Sequence, residues 1–197
     1  MNMLRVGIPY IDTNKPNVFL DFETRDKVAT AKVMSIGAAM VGPGLTVDST
    51  FYANVLWQGA QQLGRTESAD TVAFWKRQAP VHMELFASPA PIRLDDAYDA
   101  FAAWIASMPR AAYIWGRDQD FDCAILWHIQ RWLGRGYMRN THYTKSRAHR
   151  MLTCMYPQGE LRPPFQGVKH NALDDAVYEA QWFINIVKHI REANENG

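Results

Sequence analysis

The chain changes its apolar rhythm once, and that change limits the folds open to it. Up to Leu56 the apolar runs are short and separated by tight loops. Asn17-Val-Phe-Leu-Asp21 predicts a short buried strand that ends in a carboxylate. Lys32 to Val41 predicts a second strand, with Gly37 either a bulge or a point of close packing. Gly42-Pro43-Gly44 is a turn. Thr46 to Leu56 alternates polar and apolar residues, the two-residue period of a third strand. Loops this short join strands as an antiparallel meander, because parallel neighbours need a crossover.

Beyond Leu56 the spacing becomes helical. Asp70 predicts the N-cap of a helix running to Gln78 and stopped by Pro80, with a short helix following to Phe86. Asp95 to Ser107 places Ala97, Phe101, Trp104 and Ile105 on one face. Ala111 to Trp115 predicts a strand, Phe121 to Leu133 a helix stopped at Gly134, and Thr141 to Arg147 a last strand. Pro163 to Gly167 predicts a loop. In the final helix Ala176, Ala180, Phe183, Val187 and Ile190 form a single apolar stripe. Strands first, then strand–helix alternation, predict one α/β domain over residues 1–197, a sheet of mixed direction with helices on its faces.

Composition excludes several classes. With 197 residues, 48% of them apolar, the chain can bury a core of its own. It has no uninterrupted apolar run long enough for a membrane span, and Met1 to Tyr10 lacks a signal-peptide pattern, so the expectation is a cytoplasmic protein. Cys123 and Cys154 have neither zinc-site nor redox-pair spacing; two buried thiols in a reducing compartment are expected. The formal net charge of +1 implies no partner, but its distribution is uneven. Cys123 to Gly159 holds no Asp or Glu, while carrying Arg131, Arg135, Arg139, Lys145, Arg147 and Arg150 together with His128, His142 and His149. A block of one sign predicts one basic face.

Three segments could carry chemistry. Asp21-Phe22-Glu23 places two carboxylates on the same side of a strand, where they repel unless a cation or water lies between them. In Trp115-Gly-Arg-Asp-Gln-Asp-Phe-Asp122 a buried strand runs into a helix start, where the helix dipole alone would favour Asp118, Asp120 or Asp122. In His170-Asn-Ala-Leu-Asp-Asp175, Asn171 can cap the last helix and Asp174 can serve its dipole. Neither role accounts for His170 or Asp175. A histidine is neutral near physiological pH, as a general base must be.

Taken in order, the three segments resemble the exonuclease motifs of the DEDD superfamily in its histidine (DEDDh) branch. Asp21 and Glu23 match the first motif, Asp122 after Phe121 the second, and His170, Ala172, Leu173 and Asp175 the third, H-x-A-L-x-D. The tyrosine branch would place Tyr where this chain has Asn171. Thr71 to Pro80 is similar to the T-x-x-W-W-x-x-Q-x-P helix of phage-type exonuclease A and a related group of bacterial exoribonucleases, as is Trp115-Gly116 before the second motif. The likeness runs from about Asn17 to Val187. This chain departs from the pattern at Phe74 (for Trp), at Asp120 (for a small residue), and at Ala148 and Met151, the Asp and Thr of an Arg-Asp-x-Arg-Thr pattern.

The resemblance implies an RNase H-like fold, a five-stranded mixed sheet with three antiparallel strands and then parallel ones, flanked by helices. It implies that Asp21, Glu23, Asp122 and Asp175 hold two divalent ions about 3.5–4 Å apart, Mg²⁺ or Mn²⁺ given ligands of oxygen only. One ion would take Asp21, Glu23 and Asp175, the other Asp21 and Asp122. His170 would be the general base, and nucleoside 5′-monophosphates would leave from the 3′ end. It further implies that backbone at Phe22, Glu23 and Thr24 holds the terminal 3′-OH. Trp75 is then either a stacking surface for terminal bases or a core tryptophan. The acid-free segment would track phosphates with Arg147, Arg150 and neighbouring bases, interleaved with Trp127, Trp132, Tyr137 and Tyr143.

The expected partner is a nucleic acid with a free 3′ end. Single-stranded DNA is favoured because the helix-plus-loop pattern is closer to the phage enzyme, which also extends the cytoplasmic expectation to a phage protein acting in its host. RNA is the alternative, since one 2′-OH separates the two. A catalytically silent nucleic-acid-binding domain and a nucleotide phosphatase stand as readings of other classes. A homodimer is compatible with the sequence but not readable from it.

Overall fold

A computed structural model of the chain describes residues 11–78, 80–141, 147–157 and 159–195. Three antiparallel strands come first: β1 (Asn17–Thr24), β2 (Val33–Val41) and β3 (Val47–Asn54). Then follow α1 (Ala69–Arg77), α2 (Pro80–Leu85), α3 (Leu94–Ala106), β4 (Tyr113–Gly116), α4 (Ala124–Trp132), β5 (Arg147–Ala148), α5 (His149–Met155) and α6 (Ala172–Glu195). The five strands form one sheet in the order β3-β2-β1-β4-β5, with β4 and β5 parallel to β1. This is the mixed sheet anticipated from the sequence.

Several boundaries differ, each for a local reason. β1 continues past Asp21 to Thr24, so both carboxylates of Asp21 and Glu23 lie inside a paired strand. Ser68, not Asp70, caps α1: its hydroxyl accepts from the Thr71 backbone N–H at 3.3 Å, and Asp70 sits in the first turn. The helix expected from Phe121 begins with a wide π-type turn over Gln119–Cys123, and α4 starts only at Ala124. The last strand is reduced to Arg147–Ala148; residues 142–146 of the expected span lie outside the described residues. Cys123 is buried as expected, but Cys154 is exposed.

Strand alternation gives the sheet two different faces. Val18, Leu20, Phe22, Ile36 and Ile114 pack against α3 and α4 in one core. Phe19, Ala39, Val41, Tyr113 and Trp115 pack against the stripe Ala176, Ala180, Phe183 and Val187 of α6 in the other. Asp21 and Glu23 share the parity of Phe19, so they point toward α6.

Gly37 is what lets α6 come close. It pairs across from Asp21, and a Cβ there would lie 2.1 Å from the Ala172 carbonyl carbon. The close-packing alternative for this glycine is the one the fold uses. α6 therefore starts directly over the carboxylate-bearing part of β1.

Candidate active site

The acids converge because three neighbouring elements end at the same sheet edge. β1 supplies Asp21 and Glu23. β4 runs parallel beside it, with Gly116 opposite Leu20, and the π-type turn after β4 swings Asp122 back under β1. One Asp122 oxygen accepts the Phe22 N–H at 3.3 Å and the other the Arg117 N–H at 3.2 Å. At 2% exposure Asp122 is the buried member of its segment. Asp118 instead pairs with Arg150 through contacts of 2.5 and 2.8 Å, and Asp120 is exposed. Position before a helix left these three acids equivalent; the turn separates them.

The fourth acid comes from the first turn of α6. Asn171 caps this helix, its side-chain oxygen accepting from Leu173 and Asp174 N–H groups at 3.0 and 3.1 Å. Asp174 reaches back to the Val168 N–H at 2.8 Å and folds the preceding loop onto the helix. That frees Asp175 to face the sheet, where it accepts the His170 N–H at 2.8 Å. His170 has a φ of 64°, a left-handed conformation that a non-glycine residue adopts at a cost. Ligand atoms of Glu23, His170 and Asp175 all lie within 4.8 Å of one another.

The electrostatics follow from crowding. Burial, then the neighbouring carboxylates, push Asp21 and Glu23 well above the usual carboxylate range. Burial raises Asp122 to about 7 against the pull of its backbone donors, and raises Asp175 as well. Acids so placed are at ease only with protons or cations. A donor set made of carboxylate oxygens fits hard divalent ions. Burial holds His170 below its ordinary value despite Asp175, which leaves the ring neutral at physiological pH.

The structure also shows what sequence reasoning missed. His170 sits in a cage: Phe74 meets it edge-on at 5.1 Å, and Trp75 and His82 lie at 6.2 Å. His82 bonds the Lys169 carbonyl at 2.8 Å and so steadies the loop before His170. Glu179, a turn beyond Asp175 on α6, adds a fifth carboxyl group to the cluster, itself buried and raised to about 8 by burial and Asp122. Its oxygens lie 3.5 Å from an Arg117 Nη1 and 3.7 Å from His149 Nδ1. The four-residue spacing from Asp175 was the available signal for Glu179.

Several expected substrate contacts are placed differently. Trp75 is 6% exposed, and its indole N–H donates to the Thr24 carbonyl at 2.8 Å. It therefore takes the core alternative, bracing the strand end, while half-buried Phe74 offers a ring to the adjacent cavity. Of the strand backbone expected to hold the 3′-OH, the Phe22 N–H donates to Asp122 at 3.3 Å and the Thr24 carbonyl is the acceptor for Trp75. Arg147 is buried with its guanidinium 4.0 Å above the Tyr113 ring, away from the open surface. Arg150 is exposed but paired with Asp118.

Among the described residues of the acid-free segment, several bases are paired or buried rather than gathered on one face. Arg135 pairs with Asp99, His128 bonds Arg65, and His149 is buried at a pKa of about 3. Tyr137 and Trp132 are exposed as phosphate-tracking aromatics would need to be, whereas His142, Tyr143 and Lys145 lie outside the described residues.

A sheet of this order with carboxylates from β1, the β4 turn and the last helix defines an RNase H-like exonuclease domain. The chain belongs to the family described as the 3′-5′ exoribonuclease Rv2179c-like domain, whose profile matches residues 16–187. Solved structures agree in fold. The nuclease domain of 3′hExo, a DEDDh family member solved with rAMP, superposes with a TM-score of 0.61 at 10% identity, over 89% of this chain and 93% of that one. Exonuclease I of E. coli, solved with a dA16 oligonucleotide, gives 0.60 at 13% identity over 89% of this chain, which spans only 41% of the larger enzyme. Cell-death related nuclease 4 gives 0.52 at 16% identity, covering 90% and 65%. No curated protein sequence matches the chain significantly. Among the described residues no helix is long and apolar enough to cross a membrane.

Proposed function

We propose that this domain shortens RNA from its 3′ end, releasing nucleoside 5′-monophosphates, with Asp21, Glu23, Asp122 and Asp175 as ligands of two Mg²⁺ or Mn²⁺ ions and His170 as general base. The observation that carries this reading is the convergence of Glu23, His170 and Asp175 within 4.8 Å, beside Asp122 bonded to the Phe22 backbone. A phosphatase or a silent binding module has no need of a neutral histidine held against a carboxylate cluster. The family's description as exoribonucleases favours RNA and outweighs the preference for DNA drawn from sequence pattern.

Bound among these acids, divalent ions would offset their repulsion, make water a better nucleophile and stabilise charge on the departing oxygen. The chain's own groups do the rest. Asp175 fixes His170 through its backbone N–H, and the Phe74–Trp75–His82 cage limits where the ring can turn. His170, neutral at working pH, accepts the proton of the attacking water. A cavity of 440 Å³ lined by Glu23, Thr24, Thr71, Phe74 and His170 takes the terminal nucleoside, with the Phe74 ring against its base. Phe22 and Thr24 contribute there through the strand backbone that Asp122 and Trp75 hold in place.

The test is digestion of RNA and DNA of matched sequence, labelled at either end, with Mg²⁺, Mn²⁺ or a chelator. Mononucleotides should appear first from the 3′-labelled end, faster from RNA, and not with chelator. Faster loss of DNA would restore the DNA reading. Binding without any mononucleotide release would favour the silent module, and phosphate released from free nucleotides would favour the phosphatase.

A further inference from the structure

A larger cavity of 670 Å³ opens on the other side of the acids, sharing Phe22, Glu23, Phe121 and His170 with the nucleoside cavity. Its walls also include Arg117, Arg162 and Lys169. We propose that Arg117, seated on the buried carboxylate of Glu179, anchors the phosphate one nucleotide upstream of the bond being cut. The proposal rests on the exonuclease reading above, because that reading places the terminal nucleoside on the Phe74 side and sends the rest of the strand through this cavity.

Glu179 is the first observation. It is 2% exposed and lies among four other acids, a position with a large desolvation cost that needs a compensating charge. His149 does not provide it, being buried and neutral. Arg117 offsets part of that cost, with Nη1 3.5 Å from a Glu179 oxygen, although burial and Asp122 still raise Glu179 to about 8.

The second observation is how Arg117 is held. Its backbone N–H is bonded to Asp122, and its carbonyl accepts the Arg150 N–H at 3.0 Å. The root of the side chain is thus fixed relative to a metal-ligating acid. Its side chain is nonetheless 52% exposed toward the cavity. A guanidinium has five donors in a planar fork suited to phosphate. One contact at 3.5 Å is looser than a charge-assisted hydrogen bond, which runs about 2.7–2.9 Å. Glu179 therefore holds the charge in place without saturating its donors.

Dinucleotides with and without a 5′ phosphate isolate the effect. Both contain the scissile bond, but only the phosphorylated one carries the upstream phosphate. Wild type should cut the phosphorylated dinucleotide with a kcat/KM about tenfold or more above the other. In Arg117→Ala that ratio should fall toward one. Arg117→Lys should keep part of it, and Glu179→Gln should lower it by releasing the side chain. Cleavage of the unphosphorylated dinucleotide by each variant shows that it is folded; a variant that cuts neither is replaced in the comparison by Arg117→Gln. An Arg117→Ala ratio equal to that of wild type, or a wild type indifferent to the 5′ phosphate, overturns the proposal. A wild type that cuts neither dinucleotide nor longer RNA overturns the exonuclease reading itself, and this proposal with it.

Discussion

His170 is fixed by one hydrogen bond to its backbone and three rings around its side chain. Its substitution should therefore remove proton transfer and little else. His170→Ala is expected to slow turnover by about 10²–10⁴-fold while Mn²⁺ binding, followed by calorimetry or electron paramagnetic resonance, persists. Because burial lowers the ring's pKa, the wild-type rate should climb with pH below the ordinary histidine value of about 6.5 and level off near neutrality. An unchanged rate in the alanine variant, or a flat profile from pH 5.5 to 8, would remove histidine from the base role. Asp21, Glu23, Asp122, His170 and Asp175 stand out only when three segments are taken together and compared with a family's motifs, since each segment alone has an ordinary strand-end or helix-cap explanation. Glu179 is harder to read: it lies four residues beyond Asp175 on the same helix face, but by type alone it is one more polar position of the final helix. Arg147 misled for the opposite reason. Its charge suggested solvent, while β5 pairing lays it across the Tyr113 ring.

At the scale of elements, the contact between α6 and β2 decides whether the acids meet. Gly37→Ala would press a methyl group into the Ala172 backbone at 2.1 Å. Overpacking of this type costs about 1–3 kcal/mol, measurable by urea denaturation. The loss in kcat should exceed what unfolding explains, because the same shift carries Asp175 and His170 away from Glu23. Equal stability and activity in the variant would show that α6 can slide without harm. Element order and type were readable from apolar period alone, and so was the stripe of α6. Ends were less so. Ser68 and Asp70 are both good caps on composition, and the choice between them is set by where the chain leaves the loop before α1. The π-type turn before α4 has no period to betray it, yet it is the turn that aims Asp122.

Across the whole molecule, carboxylates gathered at one edge make stability depend on pH and on cations. In the metal-free protein the folded state keeps protons that the unfolded chain releases above about pH 4–5. Stability should then fall as pH rises through the folded-state values, about 7 for Asp122 and about 8 for Glu179, and flatten beyond them. Asp122→Asn should weaken this slope and, without metal, melt above wild type at pH 8. Millimolar Mn²⁺ should raise the wild-type melting temperature most at that pH. A metal-free protein whose melting temperature is higher at pH 8 than at pH 5.5 would contradict the crowding. The sequence-level picture of charge failed at this same scale: a run without acids is a property of the chain, whereas a basic face is a property of the surface, and Arg135 and Arg150 find their partners in Asp99 and Asp118 from other parts of the chain.

The bond from His82 to the Lys169 carbonyl ties the loop before His170 to α2, a helix of only six residues. Short, largely exposed helices open at lower free energy than the core they lean on. On slow warming the enzyme should thus stop working several degrees before its sheet comes apart, and recover on cooling. Activity and far-ultraviolet circular dichroism recorded along one temperature ramp would trace two separate curves, the first belonging to a hinge of six residues and the second to everything else.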